Sequence, residues 1–324
     1  MNKKKSKSKS KKRFALLGAA GYIAERHMRA IANTGNELVA AMDVSDNVGI
    51  LDRYFPDAHF FTEFERFERH VDLLRRQGEA IDYISICTPN YLHDSHVRFA
   101  LNYGAHAICE KPLASSPWNV QALADFEARG NTSINTILQL RLHPKIAELK
   151  KRIDSGPKDK VYDVCLMYNP TRGKWYFVSW KGQEDKSGGI TNNIGVHFFD
   201  VLIWIFGNVK ESVVHVLEPD RAAGYLDLEK AKVKWFLSLR EDTLPEHIRA
   251  KPRGERYYRS ITVDGEEVEF SEGFADLHTL SYEEILKGNG FGPRDVMSTV
   301  EAVYNIRNAK PIGLKGDYHP HLKK

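Results

Sequence analysis

Short apolar runs alternate with amphipathic stretches along the first half of the chain. The first run, Phe14 to Leu17, ends at the turn Gly18-Ala19-Ala20-Gly21 and is followed by a helical stretch that closes near Gly35. A second run, Leu38 to Met42, stops at Asp43, which lies 22 residues past the last glycine of the turn. This spacing predicts a strand, a tight turn, a helix and a second strand that pairs with the first in parallel.

The same alternation continues as far as residue 140. It predicts further strands and helices, namely strands Tyr83 to Cys87, Ala105 to Cys109 and Ile134 to Leu140, and helices Leu92 to Tyr103 and one after Pro117. Strands that alternate with helices form a doubly wound parallel sheet. This half is therefore predicted to be an α/β domain of the Rossmann type.

After Arg141 the pattern becomes dominated by strands. We expect strands at Val161 to Tyr168, Ser212 to Leu217, Lys232 to Leu239, Arg259 to Val263 and Glu267 to Phe270, and helices at Lys145 to Ile153, Val196 to Phe206, Leu280 to Lys287 and Arg294 to Ala309. Asp264-Gly265 favours a tight hairpin turn between the last two strands. This half predicts an α+β domain with a large, mostly antiparallel sheet.

Two domains are expected, because 324 residues exceed the usual size of a single core. We divide the chain into a basic leader (residues 1–12), a first domain (13–141) and a second domain (142–324). The last helix is a candidate to pack back on the first domain. Because no long linker separates the domains, we expect them to share a cleft.

Positive charge is concentrated in the leader. The net charge is +4, but eight positive side chains lie between Lys3 and Arg13, so the rest of the chain sums to −4. The leader has no aromatic residue and no helical periodicity. We expect a disordered tail and no nucleic-acid partner, with nucleic-acid binding by the leader as the alternative.

Composition excludes several classes of protein. No apolar run reaches the roughly eighteen residues that cross a bilayer, and the N-terminus lacks the apolar stretch of a secretory signal. Cys87, Cys109 and Cys165 are odd in number and widely spaced, which favours reduced thiols over disulfides or a zinc site. We expect a cytoplasmic protein without a membrane partner.

The glycine turn is the first candidate binding site. Glycine is needed where the chain turns tightly and where the backbone approaches a pyrophosphate, and Gly18 and Gly21 stand at these places. Since the spacing is Gly-x-x-Gly-x-x-Ala, a tight turn without a ligand is the alternative from the glycines alone. Asp43 favours the ligand, because a carboxylate there accepts the ribose hydroxyls and repels a 2′-phosphate. The predicted cofactor is NAD rather than NADP.

Two polar segments follow neighbouring predicted strands. Thr88-Pro89-Asn90-Tyr91-Leu92-His93 ends one strand, and Glu110-Lys111-Pro112 ends the next. Ligands of open α/β sheets bind outside the carboxyl ends of the strands, so both segments should face one crevice. Burial beside a cationic nicotinamide would lower the pKa of Lys111, which suits it to bind or deprotonate a hydroxyl. A surface Glu-Lys pair is the alternative. His93 and His96 have no third ligand nearby, so we predict no metal site.

A third segment runs from Gly188 to Asp200 and places a histidine at the start of a predicted helix. His197 stands in the first turn, where an imidazole can take the proton of an alcohol while the carbon-bound hydrogen leaves as hydride. A buried core histidine is the alternative. Asn193 lies four residues earlier, so the two side chains are predicted to share one side of the helix.

These three segments resemble the glucose-fructose oxidoreductase, inositol dehydrogenase and rhizopine-catabolism (Gfo/Idh/MocA) family, from Arg13 to about Arg307. The resemblance implies a Rossmann domain, an open-faced second domain and a substrate site between them. It implies that Lys111 and His197 are the catalytic pair, with Asn193 in a supporting role where the family usually has aspartate. The implied cofactor contacts are Gly18, Gly21, Tyr22, Ile23, Asp43, Thr88, Pro89, Asn90, His93, Glu110 and Lys111.

Further motifs resemble one subgroup of this family, the UDP-N-acetylglucosaminuronate 3-dehydrogenases, in which asparagine is expected at position 193. The motifs are Gly18 to Ala24, Ile137 to Arg141, Arg172-Gly173-x-Trp175-Tyr176, Ser179 to Gly182, Asn193 to Phe198, Phe270 to Phe274 and Leu277-His278-Thr279. The resemblance implies oxidation of C3 of a UDP-linked uronic acid and tightly held NAD that 2-oxoglutarate reoxidises. It also implies a homotetramer and a place in the synthesis of bacterial surface polysaccharide.

A UDP-uronate carries a carboxylate, a diphosphate and a uracil, so its site needs cationic groups and an aromatic face. The candidate substrate residues are Gln139, Arg141, Arg172, Trp175, Lys181, Asn193, His197 and Tyr282, several of them in a predicted long loop from Thr171 to Gly189. Arg141 as a strand cap and Trp175 as a core aromatic are the alternatives for these two. Two other functions stay open, a dehydrogenase of a free sugar or inositol and a non-catalytic NAD-binding regulator.

Overall fold

The structure is a computed structural model that describes residues 11–268 and 276–323. The predicted leader up to residue 10 and the Phe270 to Phe274 motif lie outside the described residues. Lys12, assigned to the leader, is described: its backbone N–H donates to Asn36 Oδ1, and its ammonium lies 2.7 Å from Asp82. The last leader residue is therefore part of the folded first domain, because its charge has a partner there.

Six parallel strands form the first sheet, in the order β3-β2-β1-β4-β5-β6. They are β1 (Arg13–Leu17), β2 (Glu37–Met42), β3 (His59–Phe61), β4 (Tyr83–Ile86), β5 (His106–Cys109) and β6 (Ile134–Thr136). The helices that cover the sheet are α1 (Ala24–Asn33), α2 (Leu51–Tyr54), α3 (Phe64–Arg76), α4 (His93–Asn102) and α5 (Pro117–Glu127). The predicted doubly wound Rossmann sheet is confirmed.

The second sheet is mixed. Its order is β12-β11-β7-β10-β9-β8, and only the central pair of β7 and β10 is parallel among the strands described. The strands are β7 (Tyr162–Asn169), β8 (Val209–Glu218), β9 (Arg221–Leu228), β10 (Ala231–Ser238), β11 (Tyr258–Val263) and β12 (Glu266–Glu267). Asp264 and Gly265 both have positive φ angles, 52° and 84°, as the predicted hairpin turn requires. The predicted α+β domain with a large, mostly antiparallel sheet is confirmed.

Helices cover one face of this second sheet. The helices beyond the first domain are α6 (Pro144–Ser155), α7 (Trp175–Val178), α8 (Glu184–Ser187), α9 (Val196–Phe206), α10 (Glu246–Arg249), α11 (Leu277–Leu286) and α12 (Pro293–Asn308). Helix α9 lies in the middle of the largest apolar cluster, where Phe199 meets Trp235 of β10 edge to face. Helix α11 packs on α1, and α12 packs on α5 and α9. Helix α12 therefore connects the two sheets, and α11 lies against the first domain.

One helical stretch, Glu184–Phe206, is long and apolar enough by composition to cross a membrane. Its mean hydropathy is 1.2, and 83% of the apolar window is buried inside the protein. The stretch ends in α9, so its apolar side chains pack in the core of the second domain.

The C-terminal segment crosses the opposite face of the second sheet. The sequence around His319-Pro320-His321, close to the lysine-rich end of the chain, predicts a flexible tail, and this prediction is wrong, since His319 is only 5% exposed. Its Nε2 lies 3.1 Å from Cys165 Sγ, and its ring packs against Phe236. The tail is held there because Met167, Ala223 and Phe236 form an apolar strip that Leu322 also contacts.

Candidate active site

The glycine turn connects β1 to α1. Gly18 has a φ of +85°, and a Cβ there would lie 2.7 Å from the backbone carbon of Cys87, so no other residue fits without a shift. The backbone N–H of Ala20 donates to Asp43 Oδ2 at 2.9 Å. The turn and the carboxylate at the tip of β2 therefore lie together, as predicted for a dinucleotide site.

Helix α1 starts directly behind this turn. Its N-cap, Ile23, makes no side-chain capping bond, and the backbone N–H groups of Ala24 and Arg26 donate to Gly21 O and Ile23 O at 2.9 and 3.0 Å. Tyr22 is 86% exposed beside it. The turn, the uncapped helix start and the carboxylate fit NAD, with Gly18 and Gly21 at the pyrophosphate and Asp43 at a ribose.

His93 holds two strand-end loops together. Its ring nitrogens lie 2.6 Å from Pro112 O and 2.8 Å from Thr88 O, and the side chain is fully buried. The Thr88 hydroxyl in turn lies 3.0 Å from His96 Nδ1. Both ring nitrogens of His93 therefore lie against backbone carbonyls, and its cofactor contact stays a prediction.

Asn90 links the first domain to the second. It follows Pro89 at the start of a short 3-10 turn, Asn90–Leu92, and its side-chain amide donates to Ser187 O at 2.9 Å. Asn192 donates to the same carbonyl at 2.8 Å and to Ser115 Oγ at 3.3 Å. The Asn90 side chain thus joins the domains, and its cofactor contact stays a prediction.

Lys111 enters the cleft at the end of β5. Its Nζ donates to the backbone carbonyl of Asn193 at 3.1 Å, across the two domains. Burial lowers the pKa of Lys111 to about 8, Glu110 opposes this shift, and the cations Lys181 and Arg172 add to it. The ammonium is therefore close to neutralisation at physiological pH, which the sequence predicted.

His197 is the second residue of α9, in the first turn as predicted. Burial, and then the charge of Lys111, lower the pKa of His197 well below its ordinary value. Neither ring nitrogen has a hydrogen-bond partner among residues 11–268 and 276–323. His197 is therefore a neutral imidazole within electrostatic range of Lys111, with a nitrogen free to take a proton.

Asn193 supports Lys111 rather than His197. Residues Thr191–Gly195 form a single π-helical turn ahead of α9, so a four-residue spacing does not place Asn193 one α-helical turn before His197. The Asn193 amide donates instead to the hydroxyl of Tyr176 at 2.9 Å. The backbone carbonyl of Asn193 accepts the hydrogen bond from the Lys111 ammonium. This hydrogen bond is the support that the structure shows.

The prediction of a long loop from Thr171 to Gly189 is wrong, because this segment folds into α7, a 3-10 turn at Trp180–Gly182 and α8. Gly182 allows this compaction, because a Cβ there would lie 2.5 Å from Phe177 Cα. The segment brings Arg172 and Lys181 within electrostatic range of Lys111.

Three further predicted substrate residues are exposed or only partly buried. Burial, and then the charge of Arg172, lower the pKa of Lys181, whose Nζ lies 4.4 Å from the ring centroid of Trp180. Trp175 is 54% exposed, so it is not the core aromatic of the alternative interpretation. Gln139 has a buried amide oxygen without a hydrogen-bond partner in the described part of the chain.

Two predicted substrate residues are corrected. Arg141 is buried and forms a two-pronged salt bridge with Asp200, Nε to Oδ2 at 2.9 Å and Nη2 to Oδ1 at 2.7 Å. Tyr282 is 0% exposed, and its hydroxyl bonds to His27 and Ser85. Neither side chain reaches the cleft, because each is already committed to a buried partner.

The Glu110 side chain has two buried histidines as partners. Its Oε1 accepts hydrogen bonds from His27 Nε2 at 3.0 Å and from His278 Nε2 at 3.1 Å. The ligand-type atoms of these three buried residues lie within 4.8 Å of one another, a spacing that also suits a metal ion. Sequence reasoning missed both histidines as site residues, although His278 stood in a quoted motif and His27 on the buried side of α1.

Comparison with known proteins agrees with this architecture. Residues 12–135 match the model of an oxidoreductase family with an NAD-binding Rossmann fold, and residues 150–243 match the C-terminal alpha/beta domain of the same family. The two matches cover more than half of the 324 residues. The chain belongs to this oxidoreductase family. It has both of the family's domains in the family's order.

Solved structures of the oxidoreductase family narrow the comparison. The chain is 47% identical to the WlbA (WbpB) dehydrogenase from Thermus thermophilus in complex with NAD and alpha-ketoglutarate, with a TM-score of 0.92 over 95% of this chain and 99% of that one. The same dehydrogenase in complex with NAD and UDP-GlcNAcA gives a TM-score of 0.91 at the same identity and coverage.

A curated relative in the family is the D-glucoside 3-dehydrogenase of Escherichia coli (strain K12). It is 25% identical over 130 residues, which make up 39% of this chain. The chain spans about a third of the length of that relative, 36%.

Proposed function

We propose that this chain is an NAD-dependent dehydrogenase that oxidises the C3 hydroxyl of UDP-N-acetylglucosaminuronate (UDP-GlcNAcA) to a ketone. The observation that carries the proposal is the meeting of Lys111, His197 and two further cations, Arg172 and Lys181, at the carboxyl end of a dinucleotide-binding sheet. The likeness to a dehydrogenase solved with NAD and UDP-GlcNAcA supports it.

The two central residues divide the proton chemistry. NAD, when bound, accepts the hydride that leaves the alcohol carbon. His197 is neutral, and its nitrogens are free of hydrogen bonds within the described residues, so it takes the hydroxyl proton. Lys111 is mostly protonated below about pH 8, so its ammonium binds the hydroxyl and stabilises the negative charge that develops on the oxygen. Asn193 fixes the direction of that ammonium through its carbonyl.

The rest of the substrate is recognised by charge and stacking. Arg172 and Lys181 are placed to bind the uronate carboxylate or the diphosphate, since both act electrostatically on Lys111. Trp175 offers an exposed aromatic face for the uracil. Gln139 has an unpartnered amide oxygen that accepts a sugar N–H or O–H.

We further propose that 2-oxoglutarate reoxidises the bound cofactor and is reduced to 2-hydroxyglutarate. The likeness to a dehydrogenase solved with NAD and alpha-ketoglutarate supports this. The two carboxylates of 2-oxoglutarate would bind the same cations, Arg172 and Lys181, as the uronate. The two substrates would therefore use one cleft in turn. We propose a cytoplasmic homotetramer that supplies a 3-keto sugar nucleotide for surface polysaccharide.

A second candidate is a dehydrogenase of a free sugar, which the match to a D-glucoside 3-dehydrogenase favours. A substrate panel separates the two. We expect reduced nicotinamide to form with UDP-GlcNAcA, only weakly with UDP-GlcNAc, which lacks the carboxylate, and not with glucose or inositol. The variants Lys111→Met and His197→Asn should lose about 10²- to 10⁴-fold in rate while still binding NAD. Reduction by glucose or inositol, but not by the uronate, would refute the substrate assignment.

A further inference from the structure

A buried cluster of titratable side chains includes Glu110, the residue that precedes Lys111. Within the described residues, this cluster makes no hydrogen bond to the Lys111 ammonium or to the His197 ring. Glu110 is its centre, with His27 of α1 and His278 of α11 both donating to Oε1. The three residues come from three separate parts of the fold and are all buried. A buried carboxylate is costly unless it is fully hydrogen-bonded, so two histidines directed at one oxygen indicate that a negative charge is maintained there.

One arrangement of protons satisfies the remaining hydrogen bonds of the cluster together with an ionised Glu110. The hydroxyls of Ser85 and Tyr282 lie 2.6 Å apart, and the Tyr282 hydroxyl lies 2.7 Å from His27 Nδ1. When Ser85 donates to Tyr282 and Tyr282 donates to His27, Nδ1 is an acceptor and the proton of His27 sits on Nε2. That proton points at Glu110. A neutral His27 therefore satisfies an ionised Glu110, which agrees with the lowering of the pKa of His27 by burial.

Glu110 stays charged despite its surroundings. Burial raises the pKa of Glu110, but the hydrogen bonds from His27 and His278 outweigh this and hold it well below its ordinary value. The second carboxylate oxygen accepts from the backbone N–H of Lys111 at 3.3 Å. The cluster thus places one fixed negative charge next to the lysine in the chain.

Lys111 is otherwise surrounded by positive or neutral groups. Lys181 of the 3-10 turn and Arg172 after β7 approach from the second domain, and His197 of α9 is neutral. The Asn193 carbonyl is the hydrogen-bond acceptor. Within the described residues, Glu110 is the anionic side chain that acts on this lysine, so it alone opposes burial and the two cations.

We propose that His27 and His278 are positioning residues for Lys111, because they hold Glu110 as a fixed negative charge that keeps the lysine protonated while the sugar hydroxyl binds. The inference rests on the proposed dehydrogenation and deepens it, since it assigns a role to residues that touch neither substrate nor cofactor. Loss of this charge would leave Lys111 neutral at the pH where it has to stabilise an alkoxide.

Competitive labelling of Lys111 with acetic anhydride across pH tests the inference without any substrate, with peptide mass spectrometry as the readout. In the full-length wild-type protein we expect the midpoint near pH 8. Glu110→Gln should lower it by about one unit or more, since a neighbouring opposite charge shifts a pKa by about 1–3 units. His278→Met removes one donor and should lower it less, and His278→Gln, which keeps an N–H donor, should restore the wild-type midpoint.

The outcomes distinguish a positioning role of His278 from a purely structural one. They also distinguish failure of this inference from failure of the proposed function. A midpoint in His278→Met equal to that of wild type, together with a lowered melting temperature, would reduce His278 to a structural role and overturn the inference. Stoichiometric metal in the purified protein that His278→Met loses would overturn it as well. If the midpoints move as expected but UDP-GlcNAcA fails to reduce NAD in the wild type, the proposed function fails and the positioning role stands.

Discussion

Lys111 and His197 face the same cleft but have different neighbours. Lys111 donates to a carbonyl and has a carboxylate beside it in the chain, whereas His197 has no hydrogen-bond partner within residues 11–268 and 276–323. Burial lowers the pKa of both side chains, and in the accessible pH range only Lys111 changes its charge. The rate of sugar oxidation is therefore predicted to depend on pH only through the protonation of Lys111.

We expect the rate of sugar oxidation to be level from about pH 6 to 7 and to fall as the pH rises through about 8. The sign follows from the lowered pKa, because the ammonium form that stabilises the alkoxide exists below that pH and is lost above it. Single-turnover reduction of bound NAD measures this step. A rate that instead rises as the pH passes 8 would contradict this assignment. It would show that neutral Lys111, rather than His197, is the base.

The two flanking cations predict an effect on substrate binding. Arg172→Met and Lys181→Met should each raise the Kd for UDP-GlcNAcA about tenfold or more, because a hydrogen bond to a charged group contributes about 1.5–3 kcal/mol. Lys174→Met removes an exposed lysine from the same segment and serves as the matched control. Isothermal titration with the NAD-loaded protein provides the measurement. Equal Kd values for all three variants would place the anionic groups elsewhere.

At the scale of elements, the strand ends that carry the site could be predicted from the sequence, but some of the framework could not. Helix α9 was predicted with its observed bounds, because a long apolar run ends at Gly207. We did not predict β3, α3 or β9. Strand β3 has three residues, too few for a period, and α3 is charge-rich, although its buried Phe67, Val71 and Leu74 do follow a helical spacing.

The π-turn before α9 lies beyond sequence reasoning, because it depends on packing between the domains. Gly188 closes α8 with a φ of +78°, and a Cβ there would lie 2.3 Å from Asn192 Nδ2. Glycine at position 188 therefore leaves room for the Asn192 side chain at the start of the turn Thr191–Gly195. Asn192 donates to the Ser187 carbonyl that Asn90 shares.

Gly188→Ala should therefore displace the turn that carries Asn193 and lower the rate of sugar oxidation. Gly288→Ala is the matched control, since Gly288 also has a positive φ, 86°, but nothing within 4 Å of its Cβ position. Both variants should lose about 1–2 kcal/mol of unfolding free energy from the left-handed backbone. Only Gly188→Ala should lose more in urea unfolding and in turnover. Equal losses would show that the Asn192 contact does not position the turn.

At the scale of the whole molecule, the residues wrongly assigned to substrate pair across long stretches of sequence. Arg141 meets Asp200, 59 residues away, and Tyr282 meets Ser85, 197 residues away. Local patterns carry no information on such partners, so they predict a ligand-binding role for a cationic or phenolic side chain near a motif. The buried pair of Arg141 and Asp200 instead joins α9 to the end of the first sheet, and Arg141 also donates to Asp295 O of α12.

Asp200→Ala should destabilise the whole protein by about 3–5 kcal/mol, because it leaves the buried Arg141 charge without its partner. Glu148→Ala, which removes the exposed partner of Lys145, should leave the unfolding transition nearly unchanged. Urea unfolding followed by circular dichroism compares the two. A small loss for Asp200→Ala would show that Arg141 finds another partner or water, and would return it to the candidates for substrate binding.

Hydrogen tracing with UDP-GlcNAcA deuterated at C3 tests the central claim most directly. The protein is mixed with this substrate, NAD and 2-oxoglutarate, and the products are analysed by mass spectrometry. The account predicts a 3-keto sugar without deuterium and 2-hydroxyglutarate with one deuterium, and predicts that Lys111→Met and His197→Asn slow the transfer about 10²- to 10⁴-fold. Retention of deuterium in the sugar, or its loss from another carbon when that position carries the label, would contradict the account.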